Sequence, residues 1–343
     1  MPSSPVSTAT PPQISDRLPD HRDIARAALR LAGHAVRTPL LRSPTLDRLL
    51  GARVLIKPET LQRTGSFKFR GAFNKICRLM EEGSRPKAIV AFSSGNHAQG
   101  VAAAAALMGL PAAIVMPADA PAIKIANTRA LGAEVVAYDR YRDDREQVAQ
   151  RLAIDRGAVI VRPYDDPDII AGQGTVGREI AEDATALGLI PDLALVPCGG
   201  GGLIAGTGMA LRHAFPGLRV IACEPAGFDD TGRSLAAGKR VANAPDARTL
   251  CDALMAAMPG ELTFAINRDQ LAGAAAVTDD EVMHALAFAH TTLKLVVEPG
   301  GVVGLAALLA GKVDARGRTV AVVLSGGNVD PALYARVIAA SGT

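Results

Sequence analysis

The chain contains no tryptophan, and aromatic residues make up only 3% of its 343 residues. So few aromatic side chains argue against a base-stacking surface of the kind that single-stranded nucleic acid needs. Basic and acidic residues nearly balance, at 37 and 34, and the basic ones are scattered along the chain. We therefore expect no nucleic-acid partner.

Cysteine is also scarce, and its four occurrences do not have the spacing of a zinc site or a disulfide framework. They are Cys77, Cys198, Cys223 and Cys251, far apart and with no Cys-x-x-Cys pair. Such spacing is typical of proteins in a reducing compartment. We therefore expect a cytoplasmic protein.

No long apolar segment is apparent either. The apolar run Val101–Leu107 is mostly alanine and too short to cross a bilayer, so we expect no membrane contact. Residues 1–20 are rich in Ser, Thr and Pro but have neither the basic start nor the apolar core of a signal peptide. We interpret residues 1–20 as a flexible N-terminal tail.

The sequence does contain a regular alternation of short apolar runs with amphipathic segments. Apolar residues make up 49% of the chain, which is enough to build a sizeable core. Alternating strands and helices predict an α/β fold with mostly parallel sheets. The predicted strands are Val54–Ile56, Ala88–Phe92, Ala112–Met116, Glu134–Ala137, Val159–Val161, Leu193–Val196, Arg219–Cys223 and Thr319–Leu324.

One predicted helix begins at Ser66, a residue type that caps helices. Phe69, Phe73, Ile76 and Met80 then recur at helical spacing and predict one buried face. The other helices predicted in this way are Gly172–Leu187, Leu203–Ala214, Asp279–His290 and Gly301–Ala310, and Pro163–Pro167 is predicted to be a joint between segments.

The strongest candidate for a binding loop is Pro197-Cys-Gly-Gly-Gly-Gly-Leu-Ile-Ala-Gly206, which follows a predicted strand and opens a predicted helix. Consecutive glycines let backbone N–H groups approach an anion with no side chain in the way, and a helix N-terminus favours negative charge. We therefore expect a phosphate to bind here. A flexible turn is the alternative interpretation.

The same loop also fits a second class of enzyme. Gly200-x-Gly202-x-x-Ala205 matches the dinucleotide fingerprint, and Glu224 ends the next predicted strand, where a ribose-binding acid is expected. From this stretch alone, a nicotinamide-dependent oxidoreductase and an enzyme with another phosphate-bearing cofactor are about equally supported.

Lys68 stands in the first turn of a predicted helix, within Thr64-Gly-Ser-Phe-Lys-Phe-Arg-Gly-Ala72. The positive end of a helix disfavours a cation, and desolvation adds to this effect, so we expect a lowered pKa for the amine of Lys68. A lowered pKa is what a Schiff-base lysine requires. Taken alone, a lysine near a helix start is usually a solvated surface residue.

Two further loops follow predicted strands. Ser93-Ser-Gly-Asn-His97 offers hydrogen-bond donors that suit a carboxylate, although helix capping and a structural histidine explain the same residues equally well. Ser325-Gly-Gly-Asn328 follows the last predicted strand, and ligands bind at such carboxyl ends of parallel strands.

In this order, the motifs resemble those of the pyridoxal-phosphate enzymes of fold type II, the tryptophan-synthase-β-like family. Within it they resemble the branch of threonine and serine dehydratases and serine racemases, and Ala171-Gly-Gln-Gly-Thr175 adds to the match. The resemblance implies two domains, each a mostly parallel twisted sheet flanked by helices, with pyridoxal 5'-phosphate in the cleft between them. We place the large cofactor-binding domain at residues 21–84 and 163–343 and the small domain at residues 85–162.

The resemblance also implies roles for individual residues. Lys68 forms the Schiff base and acts as the base, Asn96 bonds the cofactor's 3-oxygen, and Ser325 meets its pyridine nitrogen. Ser94 matches the position of the second acid–base group of racemases. Further cofactor contacts are implied for Phe67, Gly199, Gly200, Gly201, Gly202, Leu203, Glu298 and Gly326, and substrate binding is implied for Ser93, Ser94, Gly95, Asn96 and His97.

Glu224-Pro-Ala-Gly-Phe-Asp-Asp230 resembles the divalent-cation site of the family. The resemblance implies Glu224 and Asp230 as carboxylate ligands and the backbone carbonyl of Phe228 as a third ligand. Hard oxygen ligands of this kind suit Mg²⁺, Mn²⁺ or Ca²⁺. The alternative is that Glu224 only caps a loop.

The activity implied by the resemblance is β-elimination from a hydroxylated amino acid, above all L-threonine or L-serine, to give a 2-oxo acid and ammonia. A serine racemase, a hydroxyaspartate dehydratase or another dehydratase of hydroxylated amino acids remain alternatives, and an NAD-dependent oxidoreductase is a remote one. Cys251-Asp-Ala253 departs from the Ala-Asp-Gly of many relatives, which leaves the substrate open. Because the chain ends soon after Asn328, we expect no appended regulatory domain, and the resemblance implies a homodimer.

Overall fold

The structure is a computed structural model that describes residues 17–120 and 122–340. Within these ranges the chain forms nine strands and thirteen α-helices. The strands are β1 (Arg53–Pro58), β2 (Ile89–Phe92), β3 (Ala112–Pro117), β4 (Glu134–Tyr138), β5 (Val159–Ile160), β6 (Leu193–Pro197), β7 (Arg219–Pro225), β8 (Leu271–Val277) and β9 (Thr319–Leu324). The helices are α1 (His21–Leu31), α2 (Pro44–Leu50), α3 (Lys68–Glu81), α4 (Asn96–Leu107), α5 (Ala122–Ala130), α6 (Arg145–Arg156), α7 (Pro167–Ala186), α8 (Gly202–Ala214), α9 (Asp230–Ala237), α10 (Glu261–Gln270), α11 (Asp279–Phe288), α12 (Pro299–Leu309) and α13 (Pro331–Ala340).

The strands form two parallel sheets. One has five strands in the order β1-β9-β6-β7-β8, and the other has four in the order β4-β3-β2-β5. Parallel sheets are covered by helices on both faces, so their central strands are apolar throughout. Every residue of β3, β6 and β9 is buried accordingly. The predicted α/β fold with parallel sheets is confirmed.

The eight predicted strands are all present, with ends that differ by at most two residues. The ninth strand, β8, was not predicted. Its sequence Leu-Ala-Gly-Ala-Ala-Ala-Val contains few of the β-branched and aromatic residues that favour strands. It lies at the edge of the five-stranded sheet, where alternate residues remain exposed.

The prediction that Ser66 caps a helix is wrong. Helix α3 begins at Lys68, with Phe67 as the preceding residue, and no side chain caps it. Ser66 is instead extended and forms an antiparallel bridge with Gly326, which commits its backbone to the neighbouring loop. The apolar face of α3 is buried as predicted, except that Met80 is only half-buried.

Close helix packing holds the beginning of α3 in place. A Cβ on Gly172 would lie 2.7 Å from the carbonyl oxygen of Arg70, and one on Gly206 would overlap the carbonyl of Ile170. Helices α3, α7 and α8 can therefore approach only through glycine. The guanidinium of Arg70 is 1% exposed and bonds the carboxylates of Glu59 and Glu179. Lys68 thus begins a helix with little freedom to move.

The two sheets use separate stretches of the chain. All strands of the four-stranded sheet lie between residues 89 and 160, whereas β1 precedes this stretch and β6–β9 follow it. On this basis we propose the division into residues 21–84 with 163–343 and residues 85–162. None of the described helices is long and apolar enough to span a bilayer. Residues 1–16 of the predicted tail lie outside the described residues, and Arg17–Asp20 lead into α1.

Candidate active site

The amine of Lys68 lies in a partly buried position at the start of α3. Its Nζ donates a hydrogen bond to the carbonyl oxygen of Pro163 at 2.8 Å and lies 5.1 Å from the centre of the Phe67 ring. Burial lowers the pKa of Lys68 to about 8. Near neutral pH a substantial fraction of the Lys68 amine is therefore uncharged, and an uncharged amine can act both as a nucleophile and as a base. The lowered pKa agrees with the sequence-based expectation.

The tetraglycine loop joins the end of β6 to the start of α8. Gly201 has a φ of +91°, a conformation that side chains disfavour, and a Cβ there would lie 2.8 Å from Asn267 Nδ2. A Cβ on Gly200 would overlap the ring of Tyr164, and one on Gly202 would lie 2.9 Å from Tyr164 Cβ. The loop is therefore a cradle that tolerates no side chains, at the positive end of a helix, which fits a bound phosphate.

Three of the predicted motifs meet at a buried hydrogen-bond network. Asn96 Nδ2 donates to Glu298 Oε1 at 2.6 Å, and Asn328 Nδ2 donates to Asn96 Oδ1 at 2.7 Å. Asn328 Nδ2 also bonds the carbonyl oxygen of Thr64 at 2.8 Å. Burial raises the pKa of Glu298 to about 8, and the nearby Asp252 carboxylate adds to the shift. Glu298 is therefore mostly protonated at neutral pH.

Ser325 and Gly326 lie directly against the segment that carries Lys68. The backbone N–H of Phe67 donates to the carbonyl oxygen of Ser325 at 3.1 Å. Gly326 accepts from the Glu298 N–H at 3.0 Å, and a Cβ on Gly326 would overlap Glu298 Oε1. The structure thus brings these two residues close to Phe67, Lys68, Asn96 and Glu298.

The Ser93–His97 loop connects β2 to α4. Ser93 Oγ accepts from the Gly95 N–H at 3.1 Å, and Ser93, Ser94 and Gly95 are half-buried. The His97 ring bonds the Val161 carbonyl oxygen through Nε2 at 2.8 Å. Burial and the neighbouring Lys68 lower the pKa of His97 to about 3, so the imidazole is neutral.

Pyridoxal phosphate needs an amine for its aldehyde and hydrogen-bond donors for its phosphate, and the Lys68 amine and the backbone amides of the glycine loop fit these needs. The family model of the pyridoxal-phosphate-dependent enzymes matches residues 31–326. This chain belongs to the pyridoxal-phosphate-dependent enzymes. The match agrees with the family resemblance drawn from the motifs and with the expected cofactor.

Known members of the family resemble nearly the whole chain. An L-threo-3-hydroxyaspartate ammonia-lyase from Pseudomonas sp is 44% identical, with 94% of this chain and 99% of the relative covered. A serine racemase from Schizosaccharomyces pombe is 38% identical over 94% of this chain and 98% of its own length. The threonine deaminase from T.th., known from a crystal structure, is 44% identical, with a TM-score of 0.86, 91% of this chain and 99% of that chain covered.

Glu224 and Asp230 lie together beyond the glycine loop, in the interior of this pyridoxal-phosphate-dependent enzyme. Glu224 is fully buried, and its two carboxylate oxygens accept from the N–H groups of Thr231 and Gly232 at 2.8 and 2.9 Å. These two bonds give Glu224 a role that needs no ribose, which weakens the dinucleotide interpretation. Burial raises the pKa of Glu224 to about 7 and that of Asp230 to about 6.

Sequence reasoning missed two contributors to the site. Pro163 acts through its backbone carbonyl, a group that every residue type carries, so its identity gives no signal. Tyr164, which packs on Gly200 and Gly202, lies in a segment that was predicted only as a joint. A further contributor, Asn328, stands in a motif that was recognised, but its contact with Asn96 joins residues 232 apart in sequence.

We predict that the free energy of unfolding of Glu298→Gln falls less than that of the wild type when the pH is raised from 5 to 8. The folded protein keeps a proton on Glu298 between about pH 4.5 and 8, whereas the unfolded chain has lost it, so stability falls as pH rises through this window. Urea unfolding at pH 5 and pH 8, with cofactor removed, should show the wild type losing about 1–4 kcal/mol more than the variant. Parallel pH dependences of the two proteins would contradict the raised pKa.

Proposed function

We propose that the enzyme is an ammonia-lyase that converts a β-hydroxy amino acid, with L-threonine and L-serine favoured, to a 2-oxo acid and ammonia. The observation that carries the proposal is the Lys68 amine, whose pKa is about 8 and which the Pro163–Tyr164 segment connects to the tetraglycine cradle. The identity of 44% to a hydroxyaspartate ammonia-lyase and to a threonine deaminase supports the same reaction type.

When bound, pyridoxal phosphate supplies an electron sink that makes the α-hydrogen of an attached amino acid acidic. In the proposal Lys68 takes this proton at Nζ, and Asn96 and Ser325 bond the cofactor ring. A hydroxyl partner cannot keep the ring nitrogen protonated as a carboxylate would, which favours elimination over transamination. The residues that would hold the phosphate are Gly199, Gly200, Gly201, Gly202 and Leu203, and Phe67, Glu298 and Gly326 are the further residues proposed to contact the cofactor.

The substrate carboxylate is proposed to bind at the Ser93–His97 loop. The loop leads into the N-terminus of α4, which begins at Asn96 and favours negative charge. His97 contributes there as a neutral group because its imidazole is unprotonated at neutral pH. The overall change is loss of the α-proton and the β-hydroxyl as water, followed by hydrolysis to the 2-oxo acid and ammonia.

We predict that Lys68→Ala lowers the rate of ammonia release from L-serine by at least about 10³-fold, because the variant lacks the base. The matched control is Lys87→Ala, which removes an exposed lysine and should leave the rate unchanged. Pyruvate and ammonia should appear in equal amounts. Unchanged ammonia release by Lys68→Ala would refute the role of Lys68.

A racemase is the second activity that the site supports. Ser94 is half-buried in the Ser93–His97 loop, and the resemblance assigns to it the second acid–base group of racemases. The serine racemase relative is 38% identical. Accumulation of D-serine from L-serine, with less pyruvate than D-serine, would favour racemisation over elimination.

The position of Arg145, a cationic residue near this loop, supports an acidic substrate such as hydroxyaspartate. The guanidinium of Arg145 lies 5.7 Å from the centre of the Phe92 ring, and Phe92 directly precedes Ser93. The Arg145 charge is also close enough to Tyr164 to act on the pKa of that phenol. Arg145 is exposed and lies near both the end of the strand that precedes this loop and Tyr164. We propose that it pairs with the second carboxylate of an acidic substrate.

We predict that Arg145→Gln lowers kcat/KM for L-threo-3-hydroxyaspartate about 10- to 100-fold, since a charge-assisted hydrogen bond is lost, and changes kcat/KM for L-serine by less than about threefold. Arg151→Gln removes an exposed arginine from the same helix and serves as the control. Equal losses for both substrates would contradict a role of Arg145 in choosing the substrate.

We also propose a divalent cation at Glu224 and Asp230, completed by the carbonyl of Phe228. Asp230 Oδ2 is buried and has no hydrogen-bond partner among the described residues. Two acids with raised pKa values side by side would be stabilised by a cation. No group of three or more His, Cys, Asp or Glu side chains able to hold a metal is found in the described ranges, so carbonyl and water oxygens would complete the shell.

We predict that Mg²⁺ at about 100 times its dissociation constant stabilises the protein by about 2.7 kcal/mol at pH 8, because it binds only the folded state. Glu224→Gln should abolish this gain, and lowering the pH below 6 should weaken it, since protons then compete for both acids. Thermal unfolding with Mg²⁺ or with EDTA measures both effects. An equal gain in the variant would exclude Glu224 as a ligand.

The proposed assembly follows from the resemblance, and the proposed location follows from the cysteine usage. We propose a homodimer in the cytoplasm, and the four free cysteines, three of them buried, are consistent with a reducing compartment. Small hydroxylated amino acids are the proposed partners.

A further inference from the structure

Three consecutive residues between β5 and α7 contact three different parts of the site. The carbonyl oxygen of Pro163 accepts the hydrogen bond from Lys68 Nζ at 2.8 Å. Tyr164 packs its ring on Gly200. Asp165 places its carboxylate at the N-terminus of α10. The segment that the sequence indicated only as a joint therefore touches the lysine, the glycine cradle and a neighbouring helix at once.

Asp165 caps α10 from a distant part of the chain. Its Oδ2 accepts from the Glu261 N–H at 3.0 Å, and its Oδ1 accepts from the N–H groups of Leu262 and Thr263 at 2.9 and 3.1 Å. The residue that precedes α10, Gly260, has no side chain to do this, and a Cβ there would overlap Asp165 Oδ1. A carboxylate that satisfies three free N–H groups at the positive end of a helix fixes that end firmly.

Two side chains of α10, one in its first turn and one further along, hold the carbonyl groups of the cradle. Thr263 Oγ1 donates to the Gly200 carbonyl oxygen at 2.7 Å, and Asn267 Nδ2 donates to that of Gly201 at 3.3 Å. In a trans peptide the carbonyl and the following N–H point in opposite directions. The N–H groups of Gly201 and Gly202 are therefore directed away from α10.

We propose that Asp165 is a positioning residue for the cofactor phosphate. By fixing the N-terminus of α10 it holds the two cradle carbonyls, which directs the amides of Gly201 and Gly202 toward the phosphate. Pro163 and Tyr164 directly precede Asp165, so the bonds of Asp165 to α10 also fix the position of the Lys68 amine relative to the cradle. The inference rests on the proposed function, in which the glycine loop binds phosphate.

Binding of pyridoxal 5'-phosphate to the full-length protein after dialysis tests the inference, with cofactor absorbance as the signal. Asp165→Ala should raise the dissociation constant about tenfold, the effect of one lost helix cap. Asp165→Asn keeps an acceptor oxygen and should stay within about threefold of wild type. Urea unfolding of the same preparations shows that the variants are folded.

The matched control is Asp20→Ala. Asp20 caps α1 by accepting from the N–H groups of Arg22 and Asp23, so its loss removes a comparable cap from a different helix. This variant should lose stability and keep the wild-type affinity for the cofactor. Wild-type affinity in Asp165→Ala, or an equal loss of affinity in Asp20→Ala, would overturn the inference.

Gly201→Ala separates a failure of this inference from a failure of the cradle itself. Its φ of +91° and the 2.8 Å approach to Asn267 Nδ2 mean that a methyl group distorts the loop. Weak binding by Gly201→Ala with normal binding by Asp165→Ala would overturn only the role of Asp165. Normal binding by both variants would overturn the phosphate cradle and the role of Asp165 together.

Discussion

The site depends on keeping one lysine amine out of water without giving it a carboxylate partner. Lys68 Nζ donates a hydrogen bond to a backbone carbonyl oxygen. This oxygen is uncharged, so it stabilises the positive charge of the protonated amine less than an anion would. Burial is then free to lower the pKa of the amine to about 8. An ion pair at this position would have raised the pKa and removed the nucleophile.

The surrounding groups extend this principle, because burial moves acids and bases toward their neutral forms. Glu298, with a pKa of about 8, and His97, with a pKa of about 3, are both largely uncharged at neutral pH. The proposed sites for the phosphate and the substrate carboxylate therefore contain little opposing negative charge. The helix N-termini at the glycine loop and at the Ser93–His97 loop then provide the positive ends that anions prefer.

Helix packing makes this arrangement rigid. The glycines of α7 and α8 allow close approach to α3, and the buried Arg70 holds the start of α3 between two carboxylates. Removing one partner of such a buried pair leaves an uncompensated charge, so any arrangement that breaks the pair is strongly disfavoured. The glycines of Ala171-Gly-Gln-Gly-Thr175 thus serve the position of Lys68 through packing rather than through contact with a ligand.

The sequence by itself determined the α/β fold, eight of the nine strands and the local motifs, because alternating apolar runs and glycine-rich turns are properties of short segments. Strand β8 was not predicted because alanine and glycine have little preference for strands. The predicted helix cap at Ser66 was wrong because the backbone of Ser66 forms a bridge with Gly326. Only the tertiary structure decided which carbonyl faces Lys68, which acids become neutral and which side chain caps α10. These features depend on burial and on contacts between residues far apart in the chain, and neither is encoded in local spacing.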